Sequence, residues 1–224
     1  MIDFILTVID WFLHLDRYLG QIINDFGFWT YGILFVVIFI ETGVVVMPFL
    51  PGDSLLFAAG AFAAIDSSGL NVILLFVMMA IAAIIGDTTN YWIGRKIGAK
   101  AFTGEVKWLK KEYFDRAHAF YEKHGGKTIF LARFVPIIRT FAPFVAGVAQ
   151  MRYGYFISYN LFGGIVWTGL FLFAGYFFGN LPFVEQNFST VILAIIFISL
   201  IPVIIEGIKG RKKKEPVQPV TPEQ

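Results

Sequence analysis

Four charged side chains stand inside stretches that are otherwise apolar. Glu41 follows the run Tyr31–Ile40, Asp53 closes "MPFLPGD", and Arg133 and Arg139 lie within "ARFVPIIRTFAPFVAG". An ionised residue at the centre of a bilayer costs roughly 2.5–3.5 kcal/mol on insertion scales, so each of these charges needs compensation. Arginine stays charged, and its planar fork binds phosphate through two parallel hydrogen bonds. A carboxylate in a low-dielectric site is suited to loading and releasing protons. Two acids in one segment and two arginines in another therefore fit phosphate binding at Arg133 and Arg139, with proton carriage at Glu41 and Asp53. The same residues also fit a static lock of ion pairs between the segments, although buried pairs contribute weakly to stability. Asp87 stands toward the end of an apolar span and is not counted in this set.

The elements that hold these charges are punctuated by helix breakers. Pro48, Pro51 and Gly52 lie between the two acids, while Pro136 and Pro143 flank Arg139. Proline removes a backbone donor and clashes with the preceding turn. Freed backbone groups are tolerated at membrane depth only where they line a cavity or face protein. Each segment thus reads as a broken hairpin, with Gly52 supplying a tight turn.

The wider composition places the hairpins in a membrane. Of the 224 residues, 57% are hydrophobic and only 15% charged, with a mean hydropathy of +0.71. A soluble domain carries about a quarter charged residues, and a bilayer core requires spans of about 20 apolar residues. Candidate spans cover Asn71–Gly98, Tyr155–Gly179 and Phe188–Ile205. In the first segment, Asp3, Thr7, Asp10, His14, Arg17 and Gln21 form one polar stripe, which predicts an amphipathic helix, interfacial or packed in the bundle, that breaks at Asn24 and Gly27. A second surface helix is expected over Val106–Glu122. The opening "MIDF" predicts no cleavable signal peptide, and the absence of cysteine excludes disulfides.

Charge distribution sets the expected topology. Nine of the eighteen Lys and Arg residues lie between Arg95 and Lys127, and five more between Lys209 and Lys214. Basic loops stay on the cytoplasmic side, so the region 95–127 and the C-terminus are both expected inside. Counting spans back from the C-terminus, residues 128–150 must then enter and leave on the cytoplasmic face, and Tyr31–Ile65 dips in from the other. "FAAG" (57–60) matches "FVAG" (144–147), and "YWIGRKIG" (91–98) resembles "LFAGYFFG" (172–179). The fold class expected is an all-α integral membrane protein. It is an inverted repeat of amphipathic helix, re-entrant helical hairpin and transmembrane helix, plus a final transmembrane helix, an arrangement used by transporters. The membrane domain is assigned to residues 1–207, and 208–224 to a basic, Pro-rich tail that composition predicts to be disordered.

The blocks "ETGVVVMPFLPGDSLLFAAGAFA", "GDTTNYWIGRKIG" and "FYEKHGGKTIFLARFVPIIRTFAPFVAGVAQM" resemble the signature blocks of the DedA family of bacterial membrane proteins. That family belongs with the VTT-domain proteins, and the resemblance covers residues 1–207. It implies opposed re-entrant hairpins and a role in lipid transport, with undecaprenyl phosphate among the lipids associated with the family and phospholipid flipping or scrambling linked to other members. The family's acids fall on Glu41 and Asp53, and its arginines on Arg133 and Arg139.

The function expected is proton-coupled movement of a phosphate-bearing lipid, undecaprenyl phosphate first, across a bacterial inner membrane. The alternatives are a phospholipid flippase or scramblase, and a non-transporting envelope-integrity protein whose charges form a lock. No histidine, cysteine or metal-ligand cluster lies near the hairpins, and His14, His118 and His124 fall outside them. The chain is therefore read as a non-enzyme with no catalytic residue, metal or cofactor, energised by the proton gradient. The expected partners are the lipid and the bilayer, without nucleic acid, and a homo-oligomer is left open.

Overall fold

The computed structural model describes residues 15–44, 52–102, 121, 125–188, 190–191 and 193–195. Every regular element among them is helical. In order these are α1 (Leu15–Phe26), α2 (Thr30–Gly43), α3 (Gly52–Ala63), α4 (Val72–Phe102), α5 (Lys127–Ala132), α6 (Pro136–Val148), α7 (Tyr153–Phe178) and α8 (Pro182–Gln186), with short 3-10 turns at Gly27–Trp29 and Asp66–Ser68. Pro48, Pro51, the three histidines, the surface helix expected at 106–122 (apart from Tyr121), most of the last span and the tail lie outside the described residues.

Of the expected polar stripe, Asp3, Thr7, Asp10 and His14 lie outside the described residues; on α1, Arg17 and Gln21 are exposed while Leu19 and Ile23 are buried. It does not break at Asn24. The helix runs to Phe26 and ends where Gly27 takes a φ of +50°, a left-handed conformation that glycine adopts without a Cβ penalty.

Among the described residues, two helices are long and apolar enough to cross a bilayer: Val72–Gly98, 27 residues, and Tyr153–Phe178, 26 residues. At 1.5 Å per residue each extends about 40 Å, more than the roughly 30 Å hydrocarbon core. Asn71 starts α4 as an N-cap, its Oδ1 accepting the N–H groups of Ile73 and Leu74 at 2.9 and 3.0 Å. The two spans run antiparallel: Ile84 and Thr88 meet Asn160, whereas Phe76 meets Phe173. Their outer faces keep large apolar side chains exposed, among them Ile73, Ile81, Leu161 and Phe162, as lipid contact requires.

The shorter helices pack on the spans through glycines. A Cβ on Gly60 of α3 would fall on the carbonyl of Leu172, and one on Gly175 of α7 on that of Phe57. The same reciprocal contact joins α6 to α4, where Gly147 faces the carbonyl of Tyr91 and Gly94 that of Phe144. One turn further along, Gly179 packs on Ala61 and Gly98 on Val148. The residues matched between the two halves of the sequence thus build two equivalent helix pairs, α3 on α7 and α6 on α4. Small residues that bring backbones together are the usual means of packing helices within lipid, where no hydrophobic force drives association.

Buried apolar side chains form two clusters. One contains Leu19, Leu34, Leu56, Leu75, Met79 and Leu172; the other contains Tyr91, Ile129, Ala146 and Phe156. Between them the spans carry a polar layer of buried Asp87, Asn90, Asn160 and Thr168.

Pro143 is not a break. Helix α6 is continuous from Pro136 to Val148 with Pro143 inside it; the residue lacks only its own N–H, which leaves the Arg139 carbonyl without its i+4 donor. The interruption lies at Arg133–Val135, between α5 and α6, and α6 begins on Pro136. Gly52 likewise is the first residue of α3, with no positive φ.

Candidate functional site

The charged residues picked out in the sequence converge where helix ends meet halfway along the spans. Arg139, in the first turns of α6, has both branches of its guanidinium engaged. Its Nη1 donates to Asp53 Oδ1 at 2.5 Å, and its Nη2 pairs with Glu41 Oε1. Glu41 lies near the end of α2 and Asp53 at the start of α3. Each of the three is at most 8% exposed, so this arginine joins α6 to the acids of both α2 and α3.

Arg133 does not share those acids. Its Nη2 pairs with Asp87 of α4 and donates to Asn160 Oδ1 of α7. Asn160 is held in turn, its Nδ2 donating to the carbonyl of Ile84 at 3.0 Å and to Thr88 Oγ1 at 3.3 Å. Asp87 is therefore a fifth member of the cluster. It sits about 16 Å short of Gly98 on a helix rising 1.5 Å per residue, close to the middle of the span. From the sequence Asp87 was expected toward the span's end; on the helix it stands near the middle of Val72–Gly98.

Trp167 binds the two arginines into one site. Its ring lies 5.2 Å from Arg139 Cζ and 5.9 Å from Arg133 Cζ, and its Nε1 donates to Asp53 Oδ1 at 2.8 Å. Cation–π contacts reach about 2 kcal/mol or more when desolvated, and at 1% exposure this ring is dry. Asn90 fixes the spacing of the acid and base helices. Its Nδ2 donates to the Thr140 carbonyl at 2.7 Å and to the Thr42 carbonyl at 3.3 Å, one residue beyond Arg139 and Glu41 respectively. Glu41 Oε1 also accepts the Gly52 N–H at 3.1 Å. A Cβ at position 52 would overlap that carboxylate, so glycine is needed there for close approach rather than for a turn.

Trp167, Asn90 and Asn160 carry no signal as isolated residues. On α7, however, Asn160, Gly163, Gly164, Trp167 and Thr168 recur at three- and four-residue spacing, as do Gly86, Asp87, Asn90, Tyr91 and Gly94 on α4. Such a stripe of small and polar residues on an apolar helix marks its inward face.

Thr42, Asp87, Arg133, Arg139 and Trp167 line a cavity of about 10 Å³. That is about the room one water requires. Nearby, Glu41 Oε2, Ser54 Oγ, Thr168 Oγ1 and the Nε atoms of both arginines are buried without a hydrogen-bond partner. Three carboxylates face two guanidiniums, leaving the cluster one proton short of neutrality if all five groups are ionised.

Fold and site together define a helical membrane protein with an ion-paired cluster buried between its spans. Residues 50–177 match the VTT domain family model. The chain is 52% identical to Protein DedA of Escherichia coli K12 over 211 residues, covering 94% of this chain and 96% of that protein. It is 46% identical to an uncharacterized membrane protein of Mycobacterium tuberculosis H37Rv, over 79% of this chain and 77% of the relative. To the inner membrane protein YqjA of Escherichia coli K12 it is 29% identical, with coverage of 80% and 81%. No solved structure matches the chain. The chain belongs to the DedA family of VTT-domain membrane proteins.

Proposed function

We propose that this protein is a transporter that moves a phosphate-bearing lipid, undecaprenyl phosphate first, between the leaflets of a bacterial inner membrane. The observation that carries this reading is Arg139, buried and gripped on both forks by carboxylates from separate helices. A guanidinium so held presents the geometry that recognises phosphate, and the carboxylates mark where phosphate oxygens would bind. Protonation of Glu41 and Asp53 releases the fork to the head group. Their deprotonation reclaims it, so Arg139 is never left bare in hydrocarbon. Proton coupling then follows from the competition, with no cofactor and no chemical conversion of the lipid.

The same reading takes α2–α3 and α5–α6 as re-entrant hairpins of an inverted repeat, with the C-terminus cytoplasmic. It is supported by the antiparallel spans, which bring the end of α4 and the start of α7 to one side, and by the two equivalent glycine-packed pairs. Single cysteines at Gly126 and Tyr153, introduced into this cysteine-free chain, are expected to label from the cytoplasmic side alone. Labelling from opposite sides would sink the hairpin.

The deciding experiment is reconstitution into vesicles with a fluorescent polyprenyl phosphate, with and without a pH gradient. Gradient-dependent flipping is expected. Flipping of labelled phospholipid alone would move the assignment to a phospholipid flippase. The pairing of both arginines with buried carboxylates around a water-sized cavity favours one competing reading, a structural lock. No flipping of either lipid, at full abundance and fold, would establish it.

A further inference from the structure

Each branch of the Arg139 fork meets a carboxylate oxygen that a second donor also reaches. At Nη1 the oxygen is Asp53 Oδ1, which accepts from Trp167 Nε1 as well. At Nη2 it is Glu41 Oε1, which also accepts from the Gly52 amide at the first turn of α3, a helix of 12 residues. The site therefore contains two points at which a cationic and a neutral donor converge on one anionic oxygen. Both points lie on one guanidinium, spaced by the guanidinium itself.

We infer that the Trp167 indole N–H and the Gly52 amide are phosphate-binding donors that complete the Arg139 fork. This rests on the phosphate-binding reading above and deepens it. A phosphate monoester set against the fork places one oxygen at each point, and the indole and amide then supply the second hydrogen bond to each. The two acids occupy these positions until the ligand arrives. Tryptophan suits the place because its ring stacks near both guanidiniums while its single N–H, a donor only, discriminates for an acceptor. The unpartnered Ser54 Oγ, fully buried one residue after Asp53, leaves further polar capacity at this end of α3. A phosphate is also favoured by the α3 N-terminus, where backbone N–H groups and the helix dipole attract anions.

The test uses the full-length protein in detergent with two probes, farnesyl monophosphate and inorganic phosphate. Trp167→Phe keeps a ring for stacking but removes the donor, so affinity for the probe should fall about tenfold, the loss expected for one hydrogen bond to a charged group. Asp53→Asn removes the competing anion and should tighten binding several-fold. In wild-type protein labelled with 15N-tryptophan, the Trp167 indole resonance should shift on addition of the probe. Those of Trp29 and Trp92, both exposed, should stay in place. This measurement stands even if Trp167→Phe folds poorly. A response to farnesyl monophosphate at far lower concentration than to inorganic phosphate assigns the site to a lipid head group; an equal response assigns it to phosphate itself, with the same donors. If Arg139→Lys abolishes binding while Trp167→Phe binds as wild type and the indole resonance does not move, the donor role is wrong and the phosphate reading survives. If wild-type protein binds neither probe, both fail.

Discussion

The two buried arginines are six residues apart and differ in what holds them. Arg139 is bound by acids of α2 and α3, the shorter apolar helices, whereas Arg133 is bound by Asp87 and Asn160 of the two long spans. Arg133 thus anchors the junction of α5 and α6 to the long spans, with a single carboxylate to satisfy. Arg139 carries the contact of α6 with α2 and α3, with two. A lock needs only the first kind of arginine. The second kind, over-supplied with counter-charge, has acids to exchange for another anion.

This contrast breaks most sharply at the arginines themselves. Arg139→Lys should reduce transport to background with the protein still inserted, because an ammonium cannot hold two acids in a fork. Arg133→Lys should retain part of the activity, since a point charge still satisfies Asp87. Equal loss in the vesicle assay would erase the distinction. The paired exchange Glu41→Arg with Arg139→Glu, combined with Asp53→Asn so that no carboxylate is left facing position 139, restores one buried ion pair; a lock should keep its fold and abundance, and a phosphate site should keep them but lose transport. Flipping by the exchanged protein at the wild-type rate would show that the arginine at position 139 does not bind the head group.

A smaller effect is expected on the scaffold side. Asp87→Ala leaves Arg133 buried without its counter-charge, a loss of about 3–5 kcal/mol. Asn160→Ala removes a hydrogen bond to a charged group, a loss of about 1.5–3 kcal/mol. Thermal unfolding in detergent should rank them in that order, both below wild type. Reversal would mean that Asn160, not Asp87, carries the anchor.

The smallest effect sharpens a different comparison, between the two glycine-packed helix pairs. Gly94→Ala and Gly175→Ala each push a methyl onto a backbone carbonyl, and overpacking of this kind costs about 1–3 kcal/mol. Because the pairs are equivalent, the two variants should lose similar amounts in the same melting experiment. A tolerated Gly175→Ala beside a damaging Gly94→Ala would show that the equivalence is one of pattern and not of packing.

Much of this was legible in the residues. The spans followed from hydropathy within a few positions, and Glu41, Asp53, Arg133 and Arg139 stood out because charge in an apolar run has few excuses. Partner choice was not legible. The sequence suggested that both arginines face both acids, but Arg133 turns to Asp87, which reads as the fringe of a basic helix end until the helix is seen to run on to Phe102. Trp167 was lost among eighteen per cent aromatic residues, most of which pack or face lipid; only its spacing from Asn160 and Gly163 sets it apart. Pro143 misled for a physical reason. A proline removes one hydrogen bond, and packing on α4 through Gly94 and Gly147 keeps the helix intact around it.

The glycine contacts also constrain the route of a lipid. Where backbone lies on backbone, along α3–α7 and α4–α6 and again where Gly43 meets Gly86, no gap remains wide enough to admit a hydrocarbon chain. These seams are closed like the staves of a cask. A long isoprenoid tail threading the interior would have to prise them apart, at the expense of the contacts that hold the bundle together. If the protein moves a phosphate-bearing lipid as proposed, the tail would swing through the surrounding bilayer while the head group alone visits the arginines, so tail length should matter little to recognition and head-group chemistry a great deal.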